Sequence, residues 1–133
     1  MNADQRELFD AALRAFANAH APYSRFPVGA AIRSASGRVY PGCNVENAAY
    51  PQGWCAEASA IASMVTAGER EITAVLVLAG GDDIITCCGG CRQKLIEFAG
   101  PEVPVWSCDP DGLRAEHTLG ELLPHAFGRG WAR

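Results

Sequence analysis

Ile72-Thr73-Ala74-Val75-Leu76-Val77-Leu78-Ala79 is followed by Cys88-Gly89-Gly90-Cys91 and, beyond Gly100-Pro101, by Val103-Pro104-Val105-Trp106-Ser107. The first segment is the longest apolar run of the chain. It is far too short to cross a bilayer and reads as a buried strand. From Cys88 to Ala99 the pattern is helical, and Gly100-Pro101 stops it before the short strand Val103 to Ser107. Strand, helix and strand in that order make a βαβ unit, so the two strands should lie parallel with a right-handed crossover. That unit places the chain in the α/β class.

The flanking segments extend the same pattern. Trp54 to about Ala67 is rich in alanine, isoleucine and methionine and stops at Gly68, a helix leading into the Ile72 strand. Val28 to Arg33 and Arg38 to Asn44 read as two strands joined by the polar turn Ser34-Ala35-Ser36-Gly37. Asp4 is placed to cap a first helix in which Phe9, Leu13 and Phe16 recur at helical spacing, and Pro22 marks its end. Downstream, Asp109-Pro110-Asp111-Gly112 turns the chain toward a last short strand and a helix over Leu119 to Leu123. The expected architecture is an α/β sandwich on one mixed sheet, a single domain over residues 1–133. At 133 residues the chain can bury a core without staples, and 49% hydrophobic residues is ordinary for a globular fold.

Charge and leader signals narrow the function. A formal charge of −4 and scattered basic residues argue against a nucleic-acid partner, whose phosphates are gripped by clustered Lys and Arg. Free small molecules are the expected ligands. Met1 to His20 is an alanine-rich amphipathic stretch without a basic region followed by an apolar one, so no export is signalled and a cytoplasmic location is expected. Six cysteines in such a chain favour metal or thiol chemistry over a disulfide framework.

Cys55-Ala56-Glu57 and Cys88-Gly89-Gly90-Cys91 both open helices. Two intervening residues let Cys88 and Cys91 turn toward one ion, and Cys55 can supply a third sulfur. Three protein ligands on tetrahedral zinc leave the fourth position for water, the arrangement of catalytic rather than closed structural sites. Helix N-termini carry partial positive charge and free N–H groups, which favour thiolates. Glu57 can reach that water without binding the metal. Taken alone, Cys-x-x-Cys also fits a redox dithiol, a structural zinc half-site or two buried thiols. Those accounts leave Cys55 and Glu57 without a task, although Glu57 also fits a plain acid favoured at a helix N-terminus.

Tyr23-Ser24-Arg25-Phe26-Pro27-Val28-Gly29-Ala30-Ala31, Gly42-Cys43-Asn44-Val45-Glu46-Asn47-Ala48-Ala49-Tyr50, the two cysteine motifs, Arg92-Gln93 and Glu121-Leu122-Leu123-Pro124-His125-Ala126-Phe127 resemble the small cytidine deaminases. The match covers nearly the whole chain. The resemblance implies a three-layer α/β/α sandwich with a five-stranded mixed sheet, and the homotetrameric three-cysteine branch of that family. It implies one Zn2+ per subunit on Cys55, Cys88 and Cys91, and deamination of cytidine and deoxycytidine for pyrimidine salvage. Glu57 would take a proton from the attacking water, pass it to ring N3 and later help protonate the departing ammonia. Phe26, Asn44, Glu46, Ala56 and Phe127 correspond to substrate-contacting positions. Asn44 and Glu46 match those that hydrogen-bond the sugar hydroxyls, Phe26 an aromatic at the base wall, and Phe127 one that reaches a neighbouring subunit's pocket. The plainer readings are loop hydrogen bonds for Asn44 and Glu46 and core packing for the two rings.

Three departures from the family pattern stand out. Ala58 occupies the position after the shuttle Glu, where the family usually carries an Arg that tempers the electron-rich zinc. Arg92 and the two helix starts are the candidates to replace it. Cys87 stands where Pro is usual, next to a ligand. Trp54 is bulkier than expected before Cys55, narrowing the pocket or packing under it. A deaminase of a modified cytosine nucleoside such as blasticidin S is the nearest alternative, and a non-catalytic metal or redox thiol protein the next. His20, His117 and His125 are assigned no role, and Cys43 and Cys108 read as small buried hydrophobes.

Overall fold

The computed structural model describes residues 1–128. Its elements are α1 (Ala3–Ala17), β1 (Val28–Ser34), β2 (Val39–Cys43), a 3-10 turn (Tyr50–Gln52), α2 (Ala56–Thr66), β3 (Ile72–Ala79), α3 (Gly89–Ile96), β4 (Pro104–Asp109), β5 (Gly112–Thr118) and α4 (Leu119–Leu122). The five strands form one mixed sheet in the order β2-β1-β3-β4-β5. β3 and β4 run parallel, with Val75 opposite Val105 and Leu78 opposite Cys108, as the βαβ reading requires. β1 pairs antiparallel with both β2 and β3, and β5 pairs antiparallel with β4.

Helices cover both faces. On one, Leu8, Phe9 and Ala12 of α1 pack with Ala31, Leu76, Leu78 and Trp106. On the other, Ile61 and Met64 of α2, Leu95 and Ile96 of α3 and Leu119 pack with Ile32, Val75, Val77 and Val105. Consecutive residues of β3 therefore alternate between two cores. A strand buried on both faces has no polar side, which is why Ile72 to Ala79 is apolar almost throughout.

Element ends differ in detail from the expectations. Asn2, not Asp4, caps α1: Asn2 Oδ1 accepts from Gln5 N at 2.8 Å and Gln5 Oε1 accepts from Asn2 N at 3.0 Å. This reciprocal box satisfies two N–H groups at once, which Asp4 in the first turn cannot do. α1 ends at Ala17, before Pro22. α2 begins at Ala56 because Trp54 is held in an extended bridge with Val45, N–H to carbonyl at 2.9 Å in both directions. α3 stops at Ile96 rather than Ala99, and the last strand is as long as β1. The two turns form as expected: Ser34 N donates to Arg38 O, and Asp109 Oδ1 accepts from the N–H groups of Asp111 and Gly112.

One contact controls how α2 sits on the sheet. A Cβ at Gly42 of β2 would lie 2.4 Å from Ala56 O and 2.5 Å from Ala60 N, so the first turn of α2 rests directly on the strand backbone. Glycine there lets the helix start, and Cys55 just before it, approach the sheet more closely than any side chain would allow.

Candidate active site

Cys55 and Cys88 are the N-cap residues of α2 and α3, each in extended conformation (φ −74°, ψ 157° and φ −65°, ψ 164°). They stand one position before the helical turn in which the sequence reading places them. Cys91 lies inside the first turn of α3 and is fully buried. The two helix starts meet, bringing the three sulfurs within 4.8 Å of one another. Cys55 Sγ and Cys88 Sγ are 3.8 Å apart. Tetrahedral zinc with Zn–S bonds of about 2.3 Å spaces its sulfurs by about 3.8 Å, so the trio fits the ion the donor set predicts. Among the described residues this is the one such group of ligand atoms. A thiolate trio on a d¹⁰ ion suits zinc better than a hard cation, which prefers oxygen.

Burial pushes the Cys55 and Cys91 thiols above their ordinary value. Burial acts upward on Cys88 too, yet the backbone N–H of Cys91 and the neighbouring thiols hold it below. That N–H is one of the donors left free at the start of α3, so the helix end itself stabilises a thiolate at its cap. Zinc would complete the same task for the other two.

Glu57 is the second residue of α2 and is 4% exposed. Desolvation raises its pKa, opposed by its own backbone, the Cys87 thiol and the charge of Lys94. A carboxyl so placed holds a proton more readily than a solvated one. Cys87 is itself buried, its thiol pushed well up first by desolvation and then by Glu57, and its sulfur is not one of the three that converge.

Cys55, Glu57 and Cys88 line a cleft of ≈ 380 Å³, whose walls also include Phe26, Val28, Asn44, Glu46, Trp54, Ala56 and Thr86. That volume falls within the roughly 300–1,000 Å³ typical of small-molecule sites. The cleft lies where β3 ends and β1 begins, Val28 being paired with Ala79. Asn44 and Glu46 face it while also holding its rim together. Asn44 Oδ1 accepts from Val28 N at 2.9 Å and its amide donates to Phe26 O at 2.9 Å; Glu46 Oε1 accepts from the N–H groups of Tyr23 and Ser24. An amide has two donors and a carboxylate two oxygens, so each retains capacity for a ligand. Loop bonding and cleft lining thus coexist.

Other expectations need correction. Trp54 is 56% exposed at the rim of the cleft, not packed beneath it. Phe127 is 86% exposed, which excludes core packing, and it does not line this chain's cleft; its carbonyl is tied to α3 by Gln93 Nε2 at 2.8 Å. Phe26 is at the cleft wall and 39% exposed, so it is not plain core either. Cys108 is buried as expected, whereas Cys43 on the edge strand is only half-buried. Arg92 does not contact sulfur: it donates to Cys87 O, Leu122 O and Thr86 Oγ1 at 2.7–2.8 Å, clamping the segment before the ligands onto α4. Val28, Tyr50, Ile85 and Thr86 also line the cleft. Val28 and Tyr50 belong to the quoted motifs, whereas Ile85 and Thr86 are marked in the sequence only by proximity to the second cysteine motif.

A buried acid beside a three-sulfur zinc site on an α/β/α sandwich defines a zinc aminohydrolase class, and known proteins agree. The cytidine and deoxycytidylate deaminase zinc-binding region matches residues 2–107, and the chain belongs to this deaminase family. It is 39% identical over 126 residues to a cytidine deaminase of Sporosarcina psychrophila, covering 95% of this chain and 93% of that one. The crystal structure of cytidine deaminase from Burkholderia pseudomallei superposes with a TM-score of 0.86 at 40% identity, covering 96% of this chain and all (100%) of that one. That of cytidine deaminase from Mycobacterium tuberculosis gives 0.81 at 39%, with the same coverage. No helix among the described residues is long and apolar enough to cross a membrane.

Proposed function

We propose that this chain deaminates cytidine and deoxycytidine hydrolytically, yielding uridine or deoxyuridine and ammonia, as a cytoplasmic enzyme of pyrimidine salvage. The observation that carries the reading is a 4% exposed Glu57 carboxyl beside three convergent sulfurs, with Glu57, Cys55 and Cys88 lining a cleft of ≈ 380 Å³. Cys55, Cys88 and Cys91 would hold the zinc, whose Lewis acidity would lower the pKa of a water molecule toward neutrality.

The protein side chains do the remaining work. Glu57 exchanges protons with the attacking water, ring N3 and the leaving amine, and its burial keeps the protonated form within reach at each stage. Ala56, first residue of α2, has an N–H with no intrahelical acceptor, available to a carbonyl of the base. Phe26 flanks the ring. Asn44 and Glu46 offer their remaining donor and acceptor to the sugar hydroxyls, so a base lacking the sugar leaves them unpaired and binds poorly.

The working unit is a single domain over residues 1–133, assembled as a homotetramer. Exposed aromatic side chains, Tyr50 at 75%, Trp54 at 56% and Phe127 at 86%, support an assembly that covers them. In it Phe127 reaches the cleft of a neighbouring subunit.

The test is ammonia release from cytidine, deoxycytidine, cytosine and blasticidin S by zinc-loaded protein. The two nucleosides should turn over, cytosine poorly. Preference for blasticidin S would move the assignment to a modified nucleoside. Glu57→Gln should retain zinc and lose about 10²–10⁴-fold in turnover. Undiminished turnover in that variant would reject the proton role.

A further inference from the structure

Three thiolates on one Zn2+ carry a net charge of −1, and the Glu57 carboxylate adds another when ionised. A site this negative in a partly desolvated setting needs a nearby cation. Arg92 bonds to neutral oxygens of Cys87, Leu122 and Thr86, so it keeps its charge but is held on the segment before the ligands, away from the Cys55 side of the site. Across the first turn of α3 lies a different candidate. Lys94 is four residues after Gly90, and its side chain leans back along the helix, as helical side chains do. Its Nζ comes within 3.7 Å of where a Cβ on Gly90 would stand. Gly90 lies between the two ligands Cys88 and Cys91. Lys94 also borders a hollow of ≈ 250 Å³ with Trp54, Cys55 and Ala58, and it is the one charged residue lining that hollow. The small Ala58 side chain leaves the space open.

We propose that Lys94 is a second cation offsetting the charge of the thiolate site, acting from the Cys55 side across the hollow that Ala58 leaves. It touches neither substrate nor reacting atoms; it is a positioning residue that acts through the sulfurs and Glu57. An ammonium on a flexible stem can hold this place from α3, one helix away from residue 58. The inference rests on the zinc site described above.

The experiment measures zinc affinity by competition with a chromogenic chelator at pH 7.5 in low salt, on the full chain. The variants are Lys94→Met, Lys94→Arg and Lys94→Met combined with Ala58→Arg. Lys94→Met should bind zinc about three- to tenfold more weakly, Lys94→Arg within about twofold of the parent, and the double variant should recover most of the loss. The deficit should shrink in 0.5 M salt, which a packing defect would not do. Far-UV circular dichroism keeps unfolding apart from charge loss, and Lys94→Arg tests charge with the stem conserved. Parent-like affinity in Lys94→Met, or an equal loss in Lys94→Arg, overturns the role of Lys94 alone. A parent chain that retains no zinc overturns the metal site and this inference together.

Discussion

Gly42→Ala tests whether the contact between β2 and the start of α2 sets the reach of the catalytic groups. The added Cβ would stand 2.4 Å from Ala56 O and 2.5 Å from Ala60 N, where ordinary contact begins at 3.4 Å. Both neighbours are backbone, so strand and helix must part by about 1 Å. Overpacking of this kind costs about 1–3 kcal/mol of stability. Because Ala56 lies between Cys55 and Glu57, the same displacement reaches the ligand and the acid. A misplacement of about 1 Å costs on the order of 10²-fold in kcat/KM. Gly37→Ala is the matched control: it sits in the β1–β2 turn at φ +91° with nothing within 4 Å of its Cβ, at the other end of β1 from Val28. Left-handed strain there costs roughly 1–2 kcal/mol and moves nothing in the cleft. Urea unfolding and ammonia release from cytidine should show both variants destabilised and only Gly42→Ala impaired in kcat/KM. Unimpaired kcat/KM in Gly42→Ala, or the same loss in both, refutes the reasoning.

Arg92→Met should lower stability by about 2–4 kcal/mol, read from the urea midpoint, because three part-buried oxygens lose a charged donor. Arg92→Lys should recover less than half of that, since an ammonium cannot reproduce the planar fork. Cys91→Ser removes a fully buried sulfur and should weaken zinc binding by more than about 100-fold, visible as metal lost on desalting; chelation of the parent should abolish turnover, and added zinc restore it. The Cys108 thiol is pushed up to about 11 by burial and by Asp109. Its thiolate is therefore scarce below that pH, about one part in a thousand at pH 8, so alkylation of the native protein at pH 8 should spare it and proceed after unfolding. Rapid modification of Cys108 in native protein, located by mass spectrometry, would contradict its buried placement.

The central part of the fold was legible because its strands are buried on both faces. The apolar run Ile72 to Ala79 has little use except as a central strand, and Gly100-Pro101 leaves no ambiguity about the break before the parallel partner. Helix ends were less legible. Asp4 and Asn2 are both competent caps, and the choice depended on Gln5 reaching back to Asn2. Trp54 was drawn into the helix by its apolar neighbours, whereas its backbone bridge to Val45, nine residues away in sequence, keeps it extended. Neither interaction has a periodic signature.

At the site, the spacing of Cys88 and Cys91 and the pairing of Cys55 with Glu57 pointed to hydrolytic chemistry at zinc, because ligand preference follows side-chain type and local helix geometry, whereas the reaction and the shuttle role of Glu57 came from the resemblance to the small cytidine deaminases. The sequence also marked Ala58 as a missing charge. What it did not decide was where charge, bulk and exposure end up. That Arg92 clamps backbone rather than sulfur, that Lys94 leans over Gly90, that Trp54 edges the cleft and that Phe127 stands clear of the core all depend on contacts between segments far apart in the chain. Local patterns record what a residue can do; only packing of α2 and α3 against the same sheet determines which of those groups meet.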